Sequence, residues 1–233
     1  MTLKIMSFNT QHCLNFLEQR IDFDIMAKAI VECGADIVGL NEMRDGDNPP
    51  EFDAQCRILA EKSGLESYYF AKALDLKDGK YGNGLLSREK IVSAEVIHVP
   101  DPNPRAYGGY YEHRVLLKAR LESGLTVMVI HFGLNPDEAE SAVHTVLEHL
   151  EDEMCVLMGD FNVAPDNAVL APIRARMKDA ADAFSSPLLS FPSDKPCEKI
   201  DYIFVSRDIE LVDADIPAIV ASDHRPHTAS VKI

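Results

Sequence analysis

The stretch Val156-Leu157-Met158-Gly159-Asp160-Phe161-Asn162-Val163 joins an apolar run to two short polar side chains. The apolar residues 154–158 predict a buried strand, and Gly159 would let another group approach the backbone closely at its end. On extended backbone, residues two positions apart share a face, so we expect the Asp160 carboxylate and the Asn162 amide to point the same way. The alternative is an ordinary turn, because Gly, Asp and Asn are common turn residues. The rest of the chain favours a functional site.

Apolar spacing along the rest of the chain predicts a layered α/β protein. Helices are expected over residues 21–33, 51–63 and 136–150, with Gly34 and Gly64 ending the first two and 170–183 partly helical. Strands are expected at residues 3–8, 36–40, 68–73, 84–87, 91–99, 115–121, 126–132, 154–158, 200–205, 209–213 and 228–233. Because several strands follow one another directly, hairpins should dominate. We therefore expect two mostly antiparallel sheets packed face to face, with helices outside.

Length and composition are those of a globular chain. Of its 233 residues, 46% are hydrophobic and 26% charged, and no Pro/Gly/Ser-rich linker divides them, which favours a single domain over residues 1–233. Neither a signal peptide nor an apolar run long enough to span a membrane is evident. The five cysteines form an odd, widely spaced set without a Cys-x-x-Cys pair. Reduced thiols in a cytoplasmic protein, expected to be monomeric, are the favoured interpretation.

The charge balance bears on the partner. The chain carries 38 acidic and 23 basic residues, a formal net charge of -15. Proteins that bind duplex nucleic acid usually cluster Lys and Arg to neutralise phosphates. Here the arginines are scattered and no dense basic run exists. Duplex nucleic acid is therefore an unlikely partner, although an acidic total still permits a local basic cleft.

Polar side chains recur at or beside the ends of predicted strands. They are Asn9, Glu42, His131, Asp160, Asn162, Asp201, Asp223 and His224. Each one alone has an ordinary explanation, such as a strand terminator or a solvated loop acid. In layered folds, however, binding and catalytic sites are built at one edge of the sheets. The repetition therefore indicates a site assembled from most of the chain.

The order of the motifs around these positions resembles the endonuclease/exonuclease/phosphatase superfamily, which includes DNase I, apurinic endonucleases, inositol polyphosphate 5-phosphatases and sphingomyelinases. The motifs are Ser7-Phe8-Asn9, Leu40-Asn41-Glu42, Asn83-Gly84-Leu85-Leu86-Ser87, His131, Gly159-Asp160-Phe161-Asn162, Ile200-Asp201-Tyr202 and Ser222-Asp223-His224. The resemblance runs from Asn9 to His224. It implies a four-layer α/β/β/α sandwich and metal-dependent cleavage of a phosphoester.

By that resemblance, Glu42 would be the main ligand of a divalent metal, with Asn9 beside it. Asp223 would support either the metal or the neighbouring histidine. Phosphoester hydrolysis needs a cation on the phosphoryl oxygens, an oriented water and a group that stabilises developing charge. Because the donors are oxygens and not cysteines, Mg²⁺ or Mn²⁺ is favoured over zinc.

The resemblance also assigns the proton chemistry. Asp160 and Asn162 would position or deprotonate the attacking water. His224 would face the phosphate and be oriented by an acidic partner, for which Asp201 is the first choice. In the DNase I branch a second histidine pairs with a glutamate, and His131 with Glu112 fits that pattern.

Two further residues are candidate substrate contacts. Asn83 lies in one of the shared motifs, and Arg114 lies two residues after Glu112 on a predicted strand. Arg114 could contact a substrate phosphate or could be an ordinary surface arginine. The aromatic stretch at residues 107–111 could stack on substrate or could pack on itself.

Three functions from different classes are compatible with these residues. The first is a Mg²⁺-dependent hydrolase, either phosphodiesterase or phosphatase, acting on a small or non-duplex phosphoester. The second is a nuclease that cleaves DNA or RNA. The third is an inert family member that serves as a binding module, which ranks last because Glu42, Asp160 and His224 are all present.

Overall fold

The computed structural model describes residues 1–46, 52 and 54–233. Its α-helices are α1 (Phe23–Cys33), α2 (Gln55–Ser63), α3 (Pro136–His149) and α4 (Ala171–Arg176). Its strands are β1 (Thr2–Asn9), β2 (Leu14–Asn15), β3 (Arg20–Ile21), β4 (Ile37–Asp45), β5 (Ser67–Leu76), β6 (Gly79–Ser87), β7 (Ile91–Val99), β8 (Arg114–Leu121), β9 (Thr126–His131), β10 (Cys155–Asp160), β11 (Met177–Asp179), β12 (Asp201–Ser206), β13 (Glu210–Asp215) and β14 (His227–Lys232). Within the described ranges, no helix has the length and apolar character needed to cross a membrane.

Twelve of these strands form two six-stranded sheets. The first sheet has the order β13-β14-β1-β4-β6-β5, and the second has the order β11-β12-β10-β9-β8-β7. Each sheet has one parallel pair at its centre, β1 with β4 and β10 with β9, and its other pairs are antiparallel. The expected predominance of antiparallel pairing is therefore confirmed, and the two sheets share one arrangement around their central pairs.

Three apolar clusters define the layers. Side chains from both sheets interdigitate in the first cluster, which contains Ile5 and Leu85 from one sheet and Leu117 and Val156 from the other. The second cluster joins the outer face of the second sheet to α3. The third cluster joins the outer face of the first sheet to α1 and α2. The order is thus helices, sheet, sheet, helix, which confirms the α/β/β/α sandwich expected from the sequence.

The parallel pairs place the polar residues at one edge of the sandwich. Asn9 is the last residue of β1 and lies opposite Asn41 of β4. Asp160 is the last residue of β10 and lies opposite His131, the last residue of β9. The carboxyl ends of parallel strands meet at the same edge of a sheet, so each sheet delivers two polar side chains to one place.

The helix boundaries mostly follow the sequence signals. Gly34 and Gly64 end α1 and α2 with φ of 63° and 72°, the left-handed conformation that favours glycine. The start of α1 was predicted two residues early, because Asp22 caps the helix by accepting hydrogen bonds from the next turn. The predicted start of the second helix, at Glu51, lies outside the described residues.

Several strands are longer than predicted, and the segment 170–183 is partly helical as predicted. The strand expected at 36–40 continues to Asp45 as β4, so Glu42 lies within a strand and does not follow one. The segment expected to be partly helical, 170–183, contains α4 but also β11, which pairs with β12 at the sheet edge. All five cysteines are free thiols.

Candidate active site

The side-chain amide of Asn9 joins the two sheets at their common edge. Its Nδ2 donates hydrogen bonds to Glu42 Oε1 and to Asp160 Oδ2, each at 3.0 Å. Its oxygen accepts from the backbone N–H of Gln11 at 3.0 Å, which holds the amide in this orientation. The predicted neighbours Asn9, Glu42 and Asp160 are therefore in direct contact, although 151 residues separate the first from the last.

The side chain of Glu42 is directed toward the site by an irregularity in its strand. The pairing of β4 with β6 shifts register between Leu40 and Met43, and Glu42 has a φ of 63°. A bulge of this kind re-aims a side chain that regular alternation would send elsewhere, and left-handed backbone at a non-glycine residue is strained. Burial of the Glu42 carboxyl raises its pKa, and the nearby carboxylate of Asp223 adds to the rise.

His224 is held between two carboxylates. Its Nδ1 lies 2.9 Å from Asp201 Oδ2, and its Nε2 lies 3.6 Å from Asp160 Oδ2. Burial lowers the pKa of His224, but the carboxylates of Asp201 and Asp160 outweigh that effect and raise the pKa to about 10. His224 is therefore an imidazolium at neutral pH, with Nδ1–H on Asp201 and Nε2–H directed into the site. The expected partner, Asp201, is the one found.

Asp160 and Asn162 meet through a turn and not through strand alternation. β10 ends at Asp160, and Asn162 has a φ of 51°, so the shared extended face predicted for the two residues was wrong. The Asn162 backbone N–H donates to Asp160 Oδ1 at 2.9 Å, and its side-chain amide donates to the carbonyl of Phe132 at 3.0 Å. Burial raises the pKa of Asp160 to about 7, against the opposing effect of His224.

His131 approaches the same carboxylate oxygen of Asp160 as His224 does. Its Nε2 is 3.6 Å from Asp160 Oδ2, and its Nδ1 is 3.0 Å from Arg114 Nη1. A guanidinium can only donate, so Nδ1 accepts from Arg114, while Nε2 faces both the Asp160 carboxylate and, at 3.2 Å, the amide nitrogen of Asn162. Burial, with a further contribution from the Arg114 cation, holds the pKa of His131 well below its usual range. His131 is thus neutral while His224 is charged.

The direct pairing of His131 with Glu112 is not what the structure has. Glu112 Oε2 lies 2.6 Å from Arg114 Nη1, the same nitrogen that contacts His131. Among the residues that the structure describes, no hydrogen bond joins Glu112 to His131 itself. Arg114 is 8% exposed, so the surface-arginine alternative is wrong. A buried arginine stabilises Glu112 more strongly than a neutral imidazole would, which explains the arrangement.

Asn41 was not predicted as a site residue, yet it organises the site. Its Nδ2 donates to Asn83 Oδ1 at 2.9 Å and to the carbonyl of Ile130 at 3.0 Å, and its Oδ1 accepts from the backbone N–H of Asp160 at 2.9 Å. Asn83 in turn donates to the carbonyl of Val115 at 2.9 Å. Both amides are buried, so they bridge the two sheets beneath the site. An Asn inside an apolar strand, at Leu40-Asn41-Glu42, was the available signal; substrate contact by Asn83 stays a prediction.

Asp223 and Tyr81 both lie near the carboxylate of Glu42. Asp223 Oδ1 accepts from the Ser222 hydroxyl at 2.9 Å, and its charge raises the pKa of both Glu42 and His224. Tyr81, another residue that sequence reasoning did not single out, is hydrogen-bonded to Arg114, and burial raises the pKa of its hydroxyl. No sequence signal distinguished it from other strand tyrosines.

The aromatic stretch at 107–111 packs partly on itself, and its stacking on substrate stays a prediction. The Tyr111 hydroxyl donates to Asp137 Oδ2 at 2.8 Å and accepts from the Tyr107 backbone at 3.0 Å, while Arg105 lies over its ring. Tyr107 and Tyr110 are 49% and 68% exposed. One ring therefore packs within the segment, and two face solvent.

A groove of about 710 Å³ begins at Asn162 and runs between α3 and the segment that follows β10. Most of its lining is apolar, including Leu134, Val143, Val163 and Val169. Its lining contains one carboxylate, Glu140, and one imidazole, His144, and among the described lining residues there is no Lys or Arg. The groove thus offers apolar surface beside the polar cluster.

Comparison with known proteins agrees with this geometry. The model of the Endonuclease/Exonuclease/phosphatase family matches residues 6–224. No curated protein gave a significant match.

Three solved structures illustrate the likeness in fold. An endonuclease/exonuclease/phosphatase from Beutenbergia cavernae has a TM-score of 0.79 at 21% identity, covering 100% of this chain and 72% of that one. The mannosyl-6-phosphatase of Bacteroides thetaiotaomicron has a TM-score of 0.79 at 16% identity, covering 99% and 100%. TDP2 of D. rerio, complexed with a single strand DNA product, has a TM-score of 0.70 at 19% identity, covering 100% and 99%.

The fold, the convergence of the motif residues and the family match over nearly the whole chain lead to one conclusion: this chain belongs to the endonuclease/exonuclease/phosphatase family.

Proposed function

We propose that this protein is a divalent-metal-dependent hydrolase that cleaves a phosphoester bond in a compact, non-duplex substrate by attack of an activated water. The observation that carries the proposal is the contact of Asp160 with Asn9 on one side and its approach to His224 on the other. This contact brings a candidate metal ligand set, a base and a charged histidine together within one cluster. Membership of the family supports the same reaction class.

The residues at the site fit a Mg²⁺ or Mn²⁺ ion. Glu42 and Asp223 are close enough for the charge of one to raise the pKa of the other. Among the described residues, no Lys or Arg forms an ion pair with either carboxylate. Their oxygens form the hard donor set that Mg²⁺ and Mn²⁺ prefer, while Asn9, whose Nδ2 donates to Glu42 and whose oxygen accepts from Gln11, orients Glu42. Two neighbouring carboxylates that form no ion pair with a Lys or Arg are stabilised when a divalent cation binds between them.

Once bound, such an ion supplies Lewis-acid stabilisation of negative charge on a phosphoryl oxygen. The proton chemistry is then left to the chain. Asp160, with a pKa raised to about 7 by burial, can take a proton from a water and release it again near neutral pH. His224 directs a charged N–H into the site, where it can stabilise charge that develops on the phosphate.

The second histidine has a different role in this proposal. Burial and the Arg114 cation hold the pKa of His131 well below its usual range, so the neutral ring contacts Asp160 and Asn162 without adding a second positive charge. Arg114 supplies the remaining cation at the edge of the cluster, and its contact with a substrate phosphate is part of the proposal. Asn162 holds Asp160 by its backbone N–H and lies within reach of His131.

Charge and shape support a compact substrate. The groove next to Asn162 is mostly apolar, and its described lining includes the Glu140 carboxylate but no Lys or Arg, so it suits an uncharged alcohol portion better than a second phosphate. The net charge of -15 opposes the approach of a polyanion. The proposal therefore ranks a phosphatase or small-molecule phosphodiesterase above a nuclease; a monomeric, cytoplasmic protein of one domain stays a prediction.

A substrate panel tests the proposal. Purified protein would be assayed with Mg²⁺, with Mn²⁺ and with EDTA against sugar phosphates, aryl phosphodiesters, phosphoinositides, single-stranded DNA and duplex DNA. The expected result is metal-dependent turnover of at least one compact phosphoester, lost in Asp160→Asn. Metal-dependent cleavage of nucleic acids alone would establish the nuclease alternative. Inactivity on every class, with ligand binding retained, would instead favour the binding module.

A further inference from the structure

A second group of potential metal ligands lies outside the candidate active site, at the edge of the second sheet. It consists of His98 near the end of β7, Asp101 just after that strand and His113 just before β8. His113 Nδ1 lies 2.8 Å from Asp101 Oδ2, and the centroids of the two imidazole rings are 6.0 Å apart. One potential ligand atom from each of the three residues lies within 4.8 Å of the others.

The strand pairing holds the two histidines side by side. β7 and β8 are antiparallel, with His98 opposite Val115. His113 precedes Val115 by two residues, so the two histidines are diagonal neighbours on one face of the pair. Hydrogen-bonded strands therefore set the spacing of the imidazoles before any ligand binds. Asp101 completes the group from the first turn beyond β7.

The ligand atoms of this second group differ from the carboxylate oxygens of Glu42 and Asp223 in the candidate active site. Two imidazole nitrogens and one carboxylate are the ligands of borderline cations such as Zn²⁺, Co²⁺ and Ni²⁺, whereas Mg²⁺ prefers oxygen alone. We propose that His98, Asp101 and His113 bind a Zn²⁺-class ion, with water in the remaining coordination positions. His98 and His113 are exposed and Asp101 is half-buried, so an ion can enter directly from solvent.

Such an ion would act on the segment beside the candidate active site. Asp101 and His113 bracket residues 102–112, and one ion bound to both would close that segment at its base. His113 is followed directly by Arg114, which contacts His131 and Glu112. The ion would thereby restrict the exposed rings of Tyr107 and Tyr110 and fix the start of the strand that carries Arg114.

An exposed histidine beside a carboxylate is not sufficient for this site. His144 and Glu148 on α3 also form such a pair, at 3.5 Å, and no second imidazole accompanies them among the described groups of three potential ligands. His144→Gln is therefore a matched control: it removes an exposed, carboxylate-paired histidine without touching the proposed site.

Isothermal titration of the full chain with Zn²⁺ tests the proposal independently of activity. Excess Mg²⁺ is present throughout, and Cys197→Ser is the common background because that thiol is exposed. The background protein and its His144→Gln form should each bind one equivalent of Zn²⁺ at the proposed site. The His98→Gln and His113→Gln forms should lose that equivalent or bind it at least about tenfold more weakly. Tenfold is the smallest loss expected, because removing even a residue that only supports a metal ligand typically weakens binding by that factor. A smaller loss in either variant would overturn the site.

Limited proteolysis tests the proposed closure of the segment. Chymotrypsin should cleave after Tyr107 and Tyr110 in the metal-free protein, and Zn²⁺ should slow this cleavage. In the His113→Gln form, Zn²⁺ should have no effect. Equal protection by Zn²⁺ in both proteins would show that the ion acts elsewhere and would contradict the proposal.

Discussion

The side-chain oxygen of Asn41 accepts a hydrogen bond at 2.9 Å from the backbone N–H of Asp160. This contact crosses from the first sheet to the second, directly beneath the candidate active site. It fixes the backbone from which the Asp160 carboxylate projects. Because the remaining amide protons of Asn41 bind Asn83 and Ile130, one buried side chain satisfies polar groups from three strands.

Replacing this amide should therefore destabilise the protein and impair the site together. Asn41→Leu leaves the N–H of Asp160 and the carbonyl of Ile130 buried without their partner. We expect a loss of about 3 kcal/mol in the free energy of unfolding, from several unsatisfied groups, and a lower turnover rate. Urea unfolding measures the first effect. Asn167→Ala, which removes an exposed capping side chain, should cost about 1 kcal/mol or less; equal losses would contradict the bridging role.

Glu42→Gln should remove most of the metal-dependent activity while the fold stays intact. The substitution keeps the shape of the side chain but removes the charge that would hold the ion. Turnover as a function of Mg²⁺ concentration and Mn²⁺ binding by electron paramagnetic resonance are the measurements. Glu18→Gln, at an exposed ion pair with Arg20, is the control and should behave like the unmodified protein. Full activity in EDTA would refute a metal role for Glu42.

Asp160→Asn and His224→Ala should each lower the turnover rate by about a hundredfold or more, the usual consequence of losing a positioned acid or base. The double variant should be little slower than the worse single variant, because groups that act as a unit have non-additive effects. Single-turnover kinetics on an identified substrate measure all three. Glu210→Gln, at an exposed ion pair with Lys232, is the control. Near-normal turnover in either single variant would show that the assigned role is wrong.

Lys199 should make stability depend on pH in the alkaline range. Its Nζ lies 3.5 Å from the centroid of the Tyr202 ring and donates to the carbonyl of Asp201 at 3.0 Å. Burial lowers the pKa of Lys199 from 10.5 to about 8. Between these two values the folded protein has lost the proton while the unfolded chain keeps it. The unfolded state then binds more protons, so the free energy of unfolding rises with pH.

The measurement is the difference in unfolding free energy between the unmodified protein and Lys199→Met, taken from pH 8 to pH 10.5. Other titrating groups largely cancel in that difference. The unmodified protein should gain up to about 3 kcal/mol relative to the variant, since each unit of pKa shift corresponds to 1.36 kcal/mol. A flat difference across this range would mean that Lys199 is not desolvated in solution.

Duplex DNA should bind negligibly at physiological salt. A protein of net charge -15 repels a polyanion at long range, and duplex binders need many Lys and Arg contacts that release counterions. Fluorescence anisotropy with a labelled duplex, over a series of salt concentrations, measures this. Tight, steeply salt-dependent binding accompanied by efficient nicking would favour the nuclease alternative over a compact substrate.

Local sequence patterns were reliable where the cause of the structure is local. Gly34 and Gly64 ended their helices as predicted, because a left-handed residue after a helix is a property of that position alone. The residue types at the strand ends were equally readable, since Asn9, Asp160 and Asp201 each interrupt an apolar run. The inference that these residues form one site depended on the order of the motifs along the whole chain.

The errors arose where distant strands impose the geometry. Sequence alone determined that this chain forms apolar strands with acids, amides and histidines at their ends, and it indicated the family and the layered fold. Only the tertiary structure decided that Glu42 sits on a bulge between β4 and β6, that Asn162 reaches Asp160 through a turn, and that Arg114 stands between Glu112 and His131. The physical reason is that side-chain direction and proton location depend on neighbours brought together by sheet pairing, and those neighbours are far apart in the chain.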